Sequence, residues 1–391
     1  MSLPHITLKR GKDKRVLNGH DWVFSNEIES MIGAPAVGDW VEVRRNDTKL
    51  IGFGFYHPHA LIAVRILTRS KPPEDADLFA ARIRSAVGFR EKLFPGAGAV
   101  RLIHGESDGM PGLIVDRIGN WLTVQVNAAG FEKRLDLITE LLQDIVKPEG
   151  ILFRNDSYQR TLEELPEYVR SVPEAEEVGF EIQESGLTYK VDLIGGQKTG
   201  FYIDQRENRR FFRDLVTEGD KVYDGFCNDG GFAMNAALAG GEVMAADISA
   251  PALARAKENA VLNGLDGKIT FMEGDLMKHP ELIGAGGPYD VINLDPPNFA
   301  RNKKSAIPAL KGYIKLHGMA IKALKEGGIL CTASCSHHIR EDRFLDTVME
   351  AAQKRNRKAV ILHRAFQPAD HPILASMPET GYLKFMVFRI M

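Results

Sequence analysis

From Lys221 onward the chain repeats one pattern, an apolar strand, then a glycine-bearing or acidic loop, then a helical stretch, and this alternation constrains the fold more than any other feature. Strands joined through helices pair in parallel, and the helices cover both faces of the resulting sheet. Val222-Tyr223 leads into Asp224-Gly225-Phe226-Cys227-Asn228-Asp229-Gly230-Gly231 and an Ala-rich helix. Val243-Met244-Ala245-Ala246 ends at Asp247, and Ile269-Thr270-Phe271-Met272 runs to Gly274-Asp275. Val291-Ile292-Asn293-Leu294 stops at Asp295-Pro296-Pro297-Asn298-Phe299, where Pro296 has no N–H to give a neighbouring strand. The expected fold is α/β, with a doubly wound, Rossmann-like sheet in the C-terminal half.

Ligands of such sheets sit beyond the C-terminal ends of the strands. Asp224, Asp247, Asp275 and Asp295 each follow a strand and are expected to converge on one crevice. Gly230 and Gly231 leave room for backbone N–H groups and a helix start to approach a ligand. Asp247, about 20 residues further on, is placed for two ribose hydroxyls, and Ser249 reads as the N-cap of the next helix. The loop lacks the third glycine of a dinucleotide-binding G-x-G-x-x-G. S-adenosylmethionine asks for less phosphate apparatus and more carboxylates: its ribose suits Asp247, its adenine amino group Asp275, its ammonium Asp224 or Asp295. Cys227 either touches that cofactor or is simply a small loop residue. Pro296, Pro297 and Phe299 present a rigid backbone and a flat apolar surface beside the Asp295 carboxylate, a combination able to grip a nucleobase; the alternative is an ordinary strand stop.

The 391 residues exceed one ordinary core. Residues 1–70 read as a small β domain, with alternation at 40–43 and 61–66 and the curved strand Gly52-Phe53-Gly54-Phe55. Its edge carries Lys9, Arg10, Lys14 and Arg15 beside Trp22 and Phe24, either a solvated face or a surface for phosphates and stacked bases. Residues 71–178 read as a central α+β domain with a hairpin over 113–126, a helix over 131–145, a strand at 151–154 and a helical stretch near Thr161. His104, Glu106 and Asp108 read there as turn residues rather than ligands. Residues 179–391 form the third domain, opening with a hairpin around Ser185-Gly186.

A formal charge of −2 means that any nucleic-acid binding must use local patches. No apolar run approaches a membrane span and the first residues hold no apolar signal segment, so the cytoplasm is the expected location. Three cysteines, Cys227, Cys331 and Cys335, fit a reducing compartment. Monomer and homodimer both stay open.

The glycine loop, Asp247-Ile248-Ser249, Asp295-Pro296-Pro297-Asn298-Phe299 and Ser334-Cys335-Ser336 together resemble the class I methyltransferase domain of the bacterial family that makes 5-methylcytosine in large-subunit ribosomal RNA. Residues 6–67 resemble that family's PUA domain. Residues 197–206, with Lys198, Thr199, Phe201 and Gln205, resemble its additional cofactor-binding segment. More widespread RNA cytosine-5 enzymes carry Pro-Cys after the aspartate, where this chain has Pro296-Pro297, so the nucleophile the resemblance implies is Cys335, with Asp295 on the base. A thiolate suits the role, because cytosine C5 accepts a methyl group only after addition at C6. Cys331 reads as core, and a zinc site from Cys331, Cys335, His337 and His338 lacks a second ligand pair of matching spacing.

Arg301, Lys303 and Lys304 follow Asp295 where an RNA backbone would pass, whereas Lys354, Arg355, Arg357 and Lys358 read as a solvated helix end. The last strand is expected to insert antiparallel. Guanine-modifying RNA methyltransferases share Asp-Pro-Pro-x-Phe, so methylation of a guanine or adenine nitrogen remains a rival, as does an RNA-binding module without turnover.

Overall fold

The computed structural model describes residues 3–195, 200–300 and 303–391, with the side chain of Lys303 left out. It divides into two compact units: residues 1–182, 191–203 and 369–380, and residues 183–190, 204–368 and 381–391.

In the first unit, a sheet that is six-stranded among the described residues curls around Ile6, Leu8, Val23, Val41, Val43, Val64 and Ile66. Its curvature depends on two glycines. A Cβ on Gly54 would lie 2.2 Å from the Arg65 carbonyl oxygen and one on Gly52 2.7 Å from that of Thr68, so only glycine lets these strands approach as they do. Beside it stands a second sheet, five-stranded among the described residues, in the spatial order Tyr168–Val172, Gly150–Asn155, Trp121–Val126, Leu113–Ile118, Ala99–His104. Helices Asp75–Leu93 and Leu135–Val146 supply Phe79, Ile83, Ile138 and Leu142 to its core, where Phe55 of the first sheet also packs.

Three features of this unit differ from the sequence reading. The helix expected over 131–145 is two, Ala129–Glu132 and Leu135–Val146. Tyr168–Val172 is a strand, paired antiparallel to Gly150–Asn155. Residues 369–380 also return to this unit: Asp370 accepts the Arg101 N–H at 3.1 Å, and its carbonyl takes the buried Arg90 guanidinium at 3.0 Å. Asp108 receives two bonds from Arg90, and Glu106 receives the Trp22 indole N–H at 2.8 Å and Arg65 at 3.1 Å. These acids are structural.

In the second unit the expected doubly wound sheet is present. Its strands are β1 (Lys221–Gly225), β2 (Glu242–Asp247), β3 (Ile269–Glu273), β4 (Tyr289–Leu294), β5 (Leu324–Ser334), β6 (Ala359–Ala365) and β7 (Lys384–Ile390). Among the described residues the sheet is seven-stranded, in the order β3-β2-β1-β4-β5-β7-β6. Strands β1 to β5 run parallel, and β7 enters antiparallel between β5 and β6. Helices α1 (Arg206–Asp214), α2 (Gly231–Leu238), α3 (Ala250–Leu262), α4 (Ala306–Ala323) and α5 (Glu341–Gln353) belong to this unit. Ser249 caps α3 as expected, accepting the Ala252 N–H at 3.3 Å. The hairpin at Ser185-Gly186 is also present, and Asn259 and Asn263 of α3 bond its backbone at Lys190 and Thr188. Ile292, Leu294, Leu330, Tyr313, Phe344 and Phe388 form the core between β4, β5, β7 and the helices α4 and α5.

Candidate active site

Register fixes the site. β4 pairs in parallel with β1 on one side, Gly225 opposite Leu294, and with β5 on the other, Leu294 opposite Thr332. The loops that begin at Phe226, Asp295 and Cys335 therefore open along one edge of the sheet.

The first loop bends through left-handed backbone at Phe226 (φ 65°), Asn228 (φ 46°) and Gly230 (φ 83°), unfavourable for the two non-glycine residues and typical of functional loops. The glycines also serve packing: a Cβ on Gly230 would press Ala256 of α3 at 3.2 Å, and one on Gly231 would press Arg209 of α1 at 2.9 Å. Asp224 lies inside β1 and is 1% exposed. Its two oxygens accept the Ala233 N–H and the Asn293 amide, each at 2.9 Å. Burial pushes its carboxyl up to about 7, against those two bonds. With both oxygens engaged, Asp224 joins β1, β4 and α2.

Asp247 stands half-buried at the end of β2, accepting N–H bonds from Asn228 at 2.9 Å and Ser249 at 2.8 Å. Among the described residues no cation pairs with it, so lone pairs remain for a diol. Asp275 lies beyond β3, and its Oδ1 accepts the amides of Met277 and Lys278, which hold the carboxyl below its ordinary range. It caps a turn.

Asp295 accepts the Gln205 side-chain amide at 2.9 Å, and Asn208 donates to Gln205 Oε1 at 2.7 Å. The segment entering α1 thus orients the carboxylate, and Tyr382 fixes the same segment by donating to Asp204 at 2.8 Å. A buried ion pair anchors α1 itself, Arg209 giving two bonds to Glu184 at 2.8 and 2.9 Å. Pro296 is buried and Pro297 exposed, while Phe299 is half-buried with its ring 4.7 Å from that of Tyr313.

The three thiols differ sharply. Cys227 and Cys331 are buried and Cys335 is half-exposed. Burial drives the Cys227 thiol up, with Asp224 and Asp247 adding to the effect, and burial alone drives Cys331 up. Around Cys335, Ser334 accepts the Tyr313 hydroxyl at 3.0 Å, Ser336 Oγ donates to Asn298 Oδ1 at 2.8 Å, and Lys384 Nζ donates to the Ser336 carbonyl at 2.7 Å. A half-exposed cysteine thus sits on a braced loop beside the loop of an oriented carboxylate, an arrangement able to add sulfur to an electrophilic ring carbon.

Of the other expected site residues, Lys198, Thr199 and Arg301 lie outside the described residues, as does the side chain of Lys303. Phe201 is buried in the first unit. Lys304, Arg10 and Lys14 are exposed, and Lys9 bonds the Asn26 carbonyl. Arg15 is engaged within its own unit, donating to Glu27 at 2.9 Å and lying 4.5 Å over the Phe24 ring. Sequence reasoning missed Asn298, Ser336 and Lys384. Of these, Asn298 and Ser336 stood inside quoted motifs, whereas Lys384 carried no local signal. Among the described residues there is no group of three or more His, Cys, Asp or Glu placed to hold a metal ion, and no helix long and apolar enough to cross a membrane.

A PUA-like domain profile matches residues 6–69, and an S-adenosylmethionine-dependent methyltransferase profile matches residues 157–389. Ribosomal RNA large subunit methyltransferase I of Shewanella denitrificans is 38% identical over 98% of this chain and 99% of its own length. The proteins of that name from Aeromonas hydrophila and Shigella boydii are 38% identical (98% of each chain) and 35% identical (99% of each). Two solved structures share the fold across 98% of this chain and 99% of theirs: a Streptococcus mutans protein described as a SAM-dependent methyltransferase (17% identity, TM-score 0.83) and a methyltransferase complexed with SAH (19%, TM-score 0.84). The loop after β1 and the uncompensated carboxylate of Asp247 fit S-adenosylmethionine as cofactor. With its PUA-like and methyltransferase domains, the chain belongs to the bacterial ribosomal RNA large subunit methyltransferase I family of S-adenosylmethionine-dependent enzymes.

Proposed function

We propose that this enzyme methylates C5 of a cytosine in large-subunit ribosomal RNA, in the cytoplasm, with Cys335 as nucleophile and Asp295 holding the N3 edge of the base. The observation that carries the reading is the contrast among the thiols: Cys227 and Cys331 are buried, while the half-exposed Cys335 lies on the loop next to that of Asp295. When bound, S-adenosylmethionine would supply an electrophilic methyl group, the electron pair of the broken S–CH3 bond staying on the cofactor sulfur. Cytosine C5 is a poor partner for it until a nucleophile adds at C6. Cys335 as thiolate forms the S–C6 bond, and the C5–C6 π pair moves to C5, which takes the methyl group. A base then removes the C5 proton, the S–C6 bond breaks, and its electron pair returns to sulfur. Asp247 holds the cofactor ribose in this reading, and the exposed Arg10, Lys14 and Lys304 meet RNA phosphates.

The test is mass spectrometry of nucleosides from ribosomal RNA incubated with the protein and methyl-labelled cofactor. Label in 5-methylcytosine supports the reading. Label on a guanine or adenine nitrogen replaces it with the rival enzyme class, and no label with intact RNA binding replaces it with a binding module.

A further inference from the structure

The second unit holds one buried cation for which the proposed chemistry has given no reason. Lys384 begins β7, opposite Ser334 in the antiparallel register, and is 7% exposed. Its ammonium donates to the carbonyl of Ser336, one residue beyond the thiol, at 2.7 Å. Among the described residues no carboxylate lies within ion-pairing distance of it. A buried ammonium in water-poor surroundings is costly without an anion.

The groups around this position come from several elements. Tyr313 on α4 bonds Ser334 and is buried, with its ionisation pushed upward first by burial. Glu341 at the start of α5 acts on Lys384 only from beyond ion-pairing distance. Asp295 follows β4 and is turned to Gln205. His337 and His338 are the imidazoles of the thiol's own loop. Burial lowers the Lys384 amine to about 8, and the charges of Cys335 and Glu341 oppose that shift, Cys335 the more strongly. A cysteine influences a neighbouring amine in that direction only as a thiolate.

We propose that Lys384 is a positioning residue for Cys335: pinned to the Ser336 carbonyl, its ammonium fixes the loop that carries the thiol and supplies the positive charge that favours the thiolate. This rests on reading Cys335 as the nucleophile. Lys384 exchanges no proton with the substrate; it acts through sulfur, and the thiol proton goes to solvent.

The coupling is measured on the full chain as the rate of iodoacetamide alkylation of the Cys335 peptide against pH, resolved by mass spectrometry. Wild-type protein is expected to reach half-maximal rate at least one pH unit below Lys384→Met, which corresponds to about tenfold faster alkylation at neutral pH. Lys384→Arg, keeping the charge, should recover most of the difference. Equal midpoints in wild type and Lys384→Met overturn the proposal. If Lys384→Met does not fold, the reciprocal measurement decides: in 13C-lysine protein the Lys384 signal, assigned by its loss in Lys384→Arg, should titrate at lower pH in Cys335→Ala than in wild type, and an unchanged midpoint overturns the proposal. A coupled pair in an enzyme that labels no cytosine would remove the cytosine reading alone; uncoupled groups in an enzyme that makes 5-methylcytosine would remove the role of Lys384 alone.

Discussion

Ser336 Oγ donates to Asn298 Oδ1 at 2.8 Å, joining the loop after β5 to the loop after β4. Asn298 Oδ1 also accepts the Ala300 N–H at 3.0 Å, so the same carboxamide oxygen shapes its own loop and holds its neighbour. The thiol and the carboxylate are set against each other by this bond as well as by the strand register.

Ser336→Ala removes the donor and leaves Asn298 its backbone partner. A bond of this kind contributes roughly 1 kcal/mol. We expect kcat to fall about fivefold, with cofactor affinity unchanged and Tm lowered by no more than about 4 °C. A variant with wild-type kcat would show that the tie does not position the thiol.

A thiolate added at C6 is expelled only when the C5 proton leaves. In RNA carrying 5-fluorocytosine that proton is replaced by fluorine, so wild-type protein should form a denaturation-resistant protein–RNA species on gels. Cys335→Ala should form none and methylate nothing, whereas Cys227→Ala and Cys331→Ala should keep the trap. Methylation by Cys335→Ala at wild-type rate would exclude it as nucleophile.

Asp247→Ala removes the acceptor proposed for the ribose hydroxyls. Hydrogen bonds to a charged group contribute roughly 1.5 to 3 kcal/mol. Calorimetry should show S-adenosylmethionine affinity reduced at least tenfold. Unchanged affinity in a folded variant would sink the assignment.

Asp224 should make stability depend on pH in an unusual direction. Its carboxyl sits near 7 in the folded chain against an ordinary value of 3.8, so between those values the folded state holds a proton that the unfolded state has lost. The contribution to stability is full below the lower value and is lost as pH rises toward the higher one, by up to about 1.4 kcal/mol per unit. Urea midpoints of the wild type should therefore fall relative to Asp224→Asn between pH 5 and 7 and run parallel above 8. Parallel curves throughout would mean that the buried carboxyl is already ionised.

The strand pattern announced the second unit well, because buried parallel strands read as continuous apolar runs and their stops are punctuated by Asp, Gly and Pro. The neighbouring positions of the Asp295 and Cys335 loops followed from that alternation. What one cannot read locally is which way a side chain points. Asp224 and Asp247 look alike in sequence, yet the first lies within a strand between two others and the second at a strand end. Asp275 satisfies backbone amides two and three residues on, a local competition that sequence spacing does not disclose. Tyr168–Val172 becomes a strand through its pairing with Gly150–Asn155. Lys384 lies 48 residues beyond the carbonyl that it grips, and Gln205 lies 90 residues before the carboxylate that it orients.

The packing of Gly231 against Arg209 has a mechanical consequence. Arg209 belongs to the helix whose entry carries Gln205, and Gln205 orients Asp295. A single methyl group at position 231 would press on the Arg209 side chain, which its pair with Glu184 holds in place, and so strain the helix whose entry orients the Asp295 carboxylate. Gly231→Ala should therefore weaken RNA turnover as well as cofactor binding, and a defect confined to the cofactor would show that the linkage is slack. If the loop after β1 receives the cofactor and Asp295 meets the base, as proposed, the two ligands are not independent guests, because the loop that receives one sets the bearing of the group that meets the other.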